Sequence, residues 1–144
     1  MLLYNQQMAR TREDYLKDFH EAFGLDVYSD PTIQLLKLRR TLIDEETKEL
    51  FADIDAAIAH LEKGEAVPHE LYANMLKELA DVQVVVSGMS VAVKPLKELD
   101  LAFKRVHESN MSKLGTDGKP TYREDGKVLK GPNYFPPDLS DLVS

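Results

Sequence analysis

The chain has 144 residues, enough for one domain with a sizeable core, and carries 18 Lys+Arg against 25 Asp+Glu, a formal net charge of −7. That balance is a poor fit to broad nucleic-acid binding through a basic surface. The absence of cysteine excludes disulfide frameworks, thiolate zinc sites and cysteine nucleophiles.

The first twelve residues lack the apolar core of a signal peptide. Residues 9–23 then read as a first helix, because Tyr15, Leu16, Phe19, Ala22 and Phe23 recur at helical spacing, with Gly24 as its stop. A linker over residues 25–30 ends in Ser29-Asp30-Pro31, a helix-start signal with proline at the first helical position. A second helix is predicted over residues 31–63, about 50 Å long at ~1.5 Å per residue, with a kink or break expected near Asp53. Its inner face is Leu35, Leu42, Ile43, Leu50, Ile54, Ala57 and Leu61. After a turn over residues 64–67, a third helix is predicted to residue 93, with Leu71, Met75, Val82, Val86 and Met89 as one stripe. Its β-branched run, residues 82–86, favours a strand by propensity alone, but its apolar spacing and length favour helix. The apolar residues 82–93 are too few for the ~20 of a bilayer span, and a cytoplasmic protein is expected. Pro95 opens a fourth helix, with Leu96, Leu99, Phe103, Val106 and Met111 inward and Gly115 as its end. Beyond it, Asp117-Gly118, Asp125-Gly126 and Gly131-Pro132 are turn signals, and residues 119–124 could form one arm of a hairpin. The expected architecture is all-α: a helical domain over residues 1–115 and a C-terminal tail over residues 116–144.

The second helix carries a feature that a core stripe does not ordinarily contain. Leu42, Glu46, Glu49 and Asp53 follow one another at steps of four, three and four, so they share one stripe that Leu35 and Leu38 open. A second acidic pair, Glu78 and Asp81, sits three apart on the third helix, also on an apolar face. Glu49 lies fifteen residues before Gly64 and Glu78 fourteen after it, so an antiparallel turn there brings the two pairs level. Four carboxylates so placed need pairing, hydrogen bonds or a cation. Oxygen-only ligands point to a hard metal, Mg²⁺ or Mn²⁺, held by Glu46, Glu49, Glu78 and Asp81. Glu45, turned about 100° from Glu46, could orient a water or simply be solvated.

The pattern E-E-x-x-E on one helix and E-x-x-D on the next, here Glu45, Glu46, Glu49, Glu78 and Asp81, resembles the all-α nucleoside triphosphate pyrophosphohydrolase superfamily. That group includes MazG-type enzymes, dimeric dUTPases, dCTPases and phosphoribosyl-ATP pyrophosphohydrolase. The resemblance covers residues 35–113. It extends through Ser109-Asn110-Met111-Ser112-Lys113 and a tail with Asp117-Gly118-Lys119, residues 123–127 and residues 130–134, which is similar to a MazG-like, phosphoribosyl-ATP-pyrophosphohydrolase-like subgroup. The resemblance implies a four-helix MazG-like bundle completed by homo-oligomerisation. It also implies Mg²⁺-dependent hydrolysis of a (deoxy)nucleoside triphosphate to the monophosphate and pyrophosphate, with a dUTP-like pyrimidine among the candidate substrates. By carry-over, Glu46, Glu49, Glu78 and Asp81 are metal ligands, and Glu45 is the residue that positions the attacking water. One motif set in one chain implies a homodimer or homotetramer, with the third helix as the natural interface.

A triphosphate needs cations and donors beyond the metal. Asn110 and Lys113, three apart at the end of the fourth helix, are assigned to phosphate or sugar contact. Arg39, two turns before Glu46, suits a phosphate contact or an ion pair equally. In the tail, Lys119, Arg123, Lys127 and Lys130 make a locally basic stretch interleaved with Tyr122 and Tyr134. It could close over an anionic substrate, with Lys130 and Tyr134 as its contacts, or pack on a neighbouring subunit. His20, His60 and His69 read as surface residues and His107 as structural. Two other readings compete: phosphoribosyl-ATP hydrolysis, and a non-catalytic acidic helical interaction module.

Overall fold

The computed structural model describes residues 9–143, and the leading residues examined for a signal peptide lie mostly outside that range. The described chain is all-helical, with four α-helices: α1 (Arg12–Phe23), α2 (Ile33–Glu62), α3 (His69–Ala92) and α4 (Leu99–Met111). Two short 3₁₀ turns, Lys94–Leu96 and Ser140–Leu142, complete the regular structure. No helix among the described residues is long and apolar enough to cross a membrane. The chain divides into two compact units, residues 1–97 and residues 98–144.

In the first unit, α1 begins with a capping box. Thr11 Oγ1 accepts from Asp14 N–H at 3.1 Å, and the Asp14 carboxylate accepts from Thr11 N–H at 2.8 Å. Gly24, at φ 67°, closes the helix in the left-handed conformation that glycine adopts without strain. The buried side of α1 is narrower than its apolar spacing suggests. Leu16 and His20 are buried, whereas Tyr15, Phe19 and Phe23 are exposed.

Helix α2 runs unbroken for 30 residues, through the expected break near Asp53. Its N-cap is Thr32, whose Oγ1 accepts from Leu35 N–H at 3.0 Å, so Pro31 precedes the helix instead of opening it. The turn after α2 uses Gly64 at φ 71° and returns the chain into α3. The β-branched run of α3 is helical, because tertiary packing outweighs the weak strand propensity.

Helices α2 and α3 lie antiparallel in one register. Leu35 packs with Ala92 and Val93. One turn further along α2, the Arg39 guanidinium lies beside Gly88. Glu46 and Glu49 converge on Glu78, and Asn74 donates to the Asp53 carboxylate. Each step forward along α2 is matched by an equal step back along α3. The stripe drawn from the spacing is therefore real at Leu35, Leu50 and Ala57, which are buried, but not at Leu38 or Leu61, which are 47% and 61% exposed.

The α1–α2 linker ties down the far end of α3. Tyr28 N–H donates to Val91 C=O at 2.7 Å and Ser29 N–H to Ala92 C=O at 2.9 Å, while Ser29 C=O accepts from Lys94 N–H at 2.9 Å. These bonds satisfy carbonyls that a helix end otherwise leaves without partners. Tyr28 adopts φ 49° to reach them, a left-handed conformation rare for a bulky residue.

In the second unit, the tail folds back along α4. Ser109 Oγ donates to Phe135 C=O at 2.8 Å, Gly131 N–H donates to Lys113 C=O at 2.8 Å, and Arg105 forks onto the Asp141 carboxylate. The expected hairpin is reduced to one antiparallel bridge, Tyr122 with Val128, around a turn at Asp125-Gly126. Arg123 N–H donates to Lys127 C=O at 2.7 Å, and Gly126 takes φ 89°.

Candidate metal centre

The acidic residues meet in the middle of the α2–α3 pair, where side chains three apart on each helix face the partner. One carboxylate oxygen from each of Glu46, Glu49 and Glu78 lies within 4.8 Å of the other two. Burial grades across the cluster. Glu78 is 5% exposed, Glu46 is half-buried and Glu49 is exposed, so the group opens on its Glu49 side. Glu46 Oε2 and Glu78 Oε2 are buried and have no hydrogen-bond partner among the described residues. A buried carboxylate oxygen without a donor is costly, and two on residues of one acidic cluster are more so.

Burial, and then the charges of Glu49, Asp81 and Glu78, hold the Glu46 carboxyl above its usual pKa; Lys77 opposes them weakly. The folded chain therefore holds this proton more tightly than the unfolded chain. The stability it contributes is complete below the ordinary glutamate value of 4.5 and is lost as pH rises through the raised one. In a chelator, Glu46→Gln should melt above wild type at pH 7, and the gap should close by about pH 4. A variant that melts at or below wild type at pH 7 would contradict this account of the cluster.

Asp81 is level with this group but lies outside the set of three. Its carboxylate accepts from Lys77 Nζ at 2.7 Å, and Lys77 also reaches Glu78 Oε1 at 3.5 Å. The neighbouring acids hold the Lys77 ammonium above its usual pKa, chiefly through the Asp81 hydrogen bond. Glu45 is exposed at the rim. Asp53 is engaged by Asn74.

The residues assigned to substrate fall into two groups. Arg39 is buried in the first unit, at 4% exposure. In the second unit Asn110 is exposed, Lys113 is half-buried, and Lys130 Nζ stands 4.7 Å from the centroid of the Tyr134 ring. Lys130 and Tyr134 are thus brought together by the tail's own fold.

The reading of His20 as a surface residue is corrected by the structure. It is 1% exposed, and its Nδ1 lies 2.7 Å from Asp26 C=O. The signal available in the sequence was its position one turn after Leu16, which puts both on one stripe. The counted aromatics drew that stripe to the wrong side. Among models of known protein families none matches the chain, and a search of curated proteins returns no match.

Proposed function

We propose that this chain is a metal-dependent nucleoside triphosphate pyrophosphohydrolase, releasing a nucleoside monophosphate and pyrophosphate. The observation that carries this reading is the convergence of Glu46, Glu49 and Glu78, with two buried oxygens that have no donor among the described residues. The donor set suits a hard cation, Mg²⁺ or Mn²⁺, since every ligand atom is a carboxylate oxygen. Such an ion supplies charge neutralisation at phosphoryl oxygens and acidifies a coordinated water.

The chain's own residues divide the remaining work. Glu46, Glu49 and Glu78 hold the cation; Asp81 joins them by releasing Lys77, a side chain that is itself 63% exposed and free to swing. Glu45, at the exposed rim, accepts a hydrogen bond from the attacking water and directs its lone pair at the phosphorus. Asn110, Lys113 and Lys130 contact phosphate or sugar, and Tyr134 offers a ring to the base. The bundle is completed by a second copy of the chain, as a homodimer or homotetramer. Support for that comes from an open, mostly apolar groove of about 570 Å³ between α1 and α3, lined by Tyr15, Leu16, Leu76, Leu79, Ala80 and Val84 together with Arg12 and Gln83. Leu76 and Leu79 there are 70% and 53% exposed, an apolar surface that one chain leaves uncovered.

The test is product analysis. Each nucleoside and deoxynucleoside triphosphate is incubated with the protein and Mg²⁺, and the products are resolved. Monophosphate and pyrophosphate in equal amounts are expected. Diphosphate with orthophosphate, or no turnover across the panel, would sink the proposal.

A further inference from the structure

Two serines at the end of α4 make contacts that no helix cap requires. Ser109 is 2% exposed, although serine is mostly a surface residue. Its Oγ donates to Phe135 C=O at 2.8 Å. Ser112, three residues on and so on the same face, accepts from Phe135 N–H at 3.1 Å and donates to Ser109 C=O at 2.6 Å. The two hydroxyls thus engage both main-chain polar groups of one tail residue.

The same helix end grips the tail again at Gly131. Gly131 N–H donates to Lys113 C=O at 2.8 Å, and Tyr134 N–H donates back to Gly131 C=O at 3.2 Å. A Cβ added to Gly131 would lie 2.6 Å from the carbonyl oxygens of both Lys113 and Leu114, which are backbone and cannot turn aside. Glycine is needed here for close approach. Residues 131–135 are therefore a short loop pinned at both ends onto residues 109–114. Pinning costs about 1–2 kcal/mol of conformational entropy per residue. The loop buries little in return, since Pro132, Asn133 and Phe135 are exposed. What it does carry is polar chemistry. Tyr134 lies on it and Lys130 directly before it, while Asn110 and Lys113 lie on the helix turn that it is pinned to.

We infer that Ser109, Ser112 and Gly131 are positioning residues: they staple the tail to the end of α4, so that Lys130 and Tyr134 stand in a fixed relation to Asn110 and Lys113 as a rigid holder for a nucleotide. The inference rests on the function proposed above. A holder ordered in advance spares the ligand the cost of ordering it. The staple therefore acts on affinity, and its loss should raise KM and leave kcat unchanged.

The experiment is isothermal titration, in saturating Mg²⁺, with the α,β-imido deoxynucleoside triphosphates of adenine, guanine, cytosine and uracil. The imido bridge replaces the anhydride oxygen where a pyrophosphohydrolase cuts, so binding is read without turnover. The wild type should bind at least one of the four. Ser112→Ala should weaken that binding by about 10-fold, the cost of two side chains left to be ordered on binding. Ser112→Thr keeps the hydroxyl and should bind as wild type. Asp141→Asn loosens the Arg105 fork elsewhere in the tail. It should lower the melting midpoint while leaving affinity within about twofold, which separates positioning from stability. In a Lys130→Met/Tyr134→Ala background, Ser112→Ala should have no further effect, because it acts through those two side chains. Ser112 is half-buried, so this series stands even where Ser109→Ala or Gly131→Ala does not fold. A wild type that binds none of the four, a Ser112→Ala protein that binds as wild type, or an equal loss in Asp141→Asn or in the double-variant background overturns the inference. The expected pattern in a protein that releases no pyrophosphate would support the staple while the hydrolase reading fails; turnover with an unchanged KM in Ser112→Ala would do the reverse.

Discussion

Glu78→Gln should abolish stabilisation by Mg²⁺ or Mn²⁺ and lower kcat/KM by about 100- to 1,000-fold for whichever triphosphate is hydrolysed. Glu78 is the most buried member of the cluster, its Oε2 has no donor among the described residues, and its other oxygen is served only by Lys77 at 3.5 Å. Glutamine keeps the shape while removing the charge and turning one ligand atom into a donor. In wild type, a cation at a hundred times its dissociation constant should stabilise the fold by about 2.7 kcal/mol; in the variant the melt should not move. In chelator the order reverses, because one of three mutually repelling acids is gone, and the variant should melt higher. Glu62→Gln, an exposed change at the end of α2, is the control and should behave as wild type in both conditions. A Glu78→Gln protein that still responds to Mg²⁺ and still turns over would remove Glu78 from the ligand set.

The second large effect concerns the fold. Leu35→Ala should cost about 2–4 kcal/mol and lower the melting midpoint by roughly 6–12 °C. Leu35 is 6% exposed and packs on Ala92 and Val93, themselves at 0% and 3%. Those two residues are held in place by the linker bonds to Ser29, so the surroundings have little freedom to collapse into the space left behind. Two residues earlier on the same helix, Ile33 is 70% exposed, and Ile33→Ala should change stability by less than about 0.5 kcal/mol. Chemical denaturation of the two variants beside wild type gives both numbers. Equal losses would show that burial, read as above, does not locate the core.

Much of the α2–α3 pair was legible from spacing. The three-and-four steps of Leu42, Glu46 and Glu49, and the nearly equal distances of Glu49 and Glu78 from Gly64, predict that those acids meet, and Glu46, Glu49 and Glu78 do. What spacing does not hold is rotamer choice and the exact rotation of a stripe. Asp81 stands at the right height, but its carboxylate turns to Lys77 one helical turn back. Leu38 and Arg39 are neighbours, and counting apolar residues puts the leucine inward. The structure buries the arginine instead, because Gly88 on the facing helix leaves a gap that a guanidinium fills. In α1 the exposed Tyr15, Phe19 and Phe23 hid the short buried line of Leu16 and His20. An apolar count alone cannot separate a core from apolar surface left facing out.

The matched stepping of α2 against α3 has a consequence for how the gene for this chain can change. Core, buried Arg39 and carboxylates are rungs of one ladder, and a residue inserted into α2 between Arg39 and Glu46 turns everything beyond it by about 100°. Leu35 would still meet Ala92, while Glu46 and Glu49 would swing away from Glu78 and the buried Leu50 and Ala57 would turn out with them, dismantling the centre and weakening the core beside it. Insertions are tolerable at the turn around Gly64, which lies beyond the last rung and connects the rails without setting their phase. A library of single-residue insertions scanned along residues 33–68 should therefore show function lost throughout α2 up to Asp53 and retained at the turn.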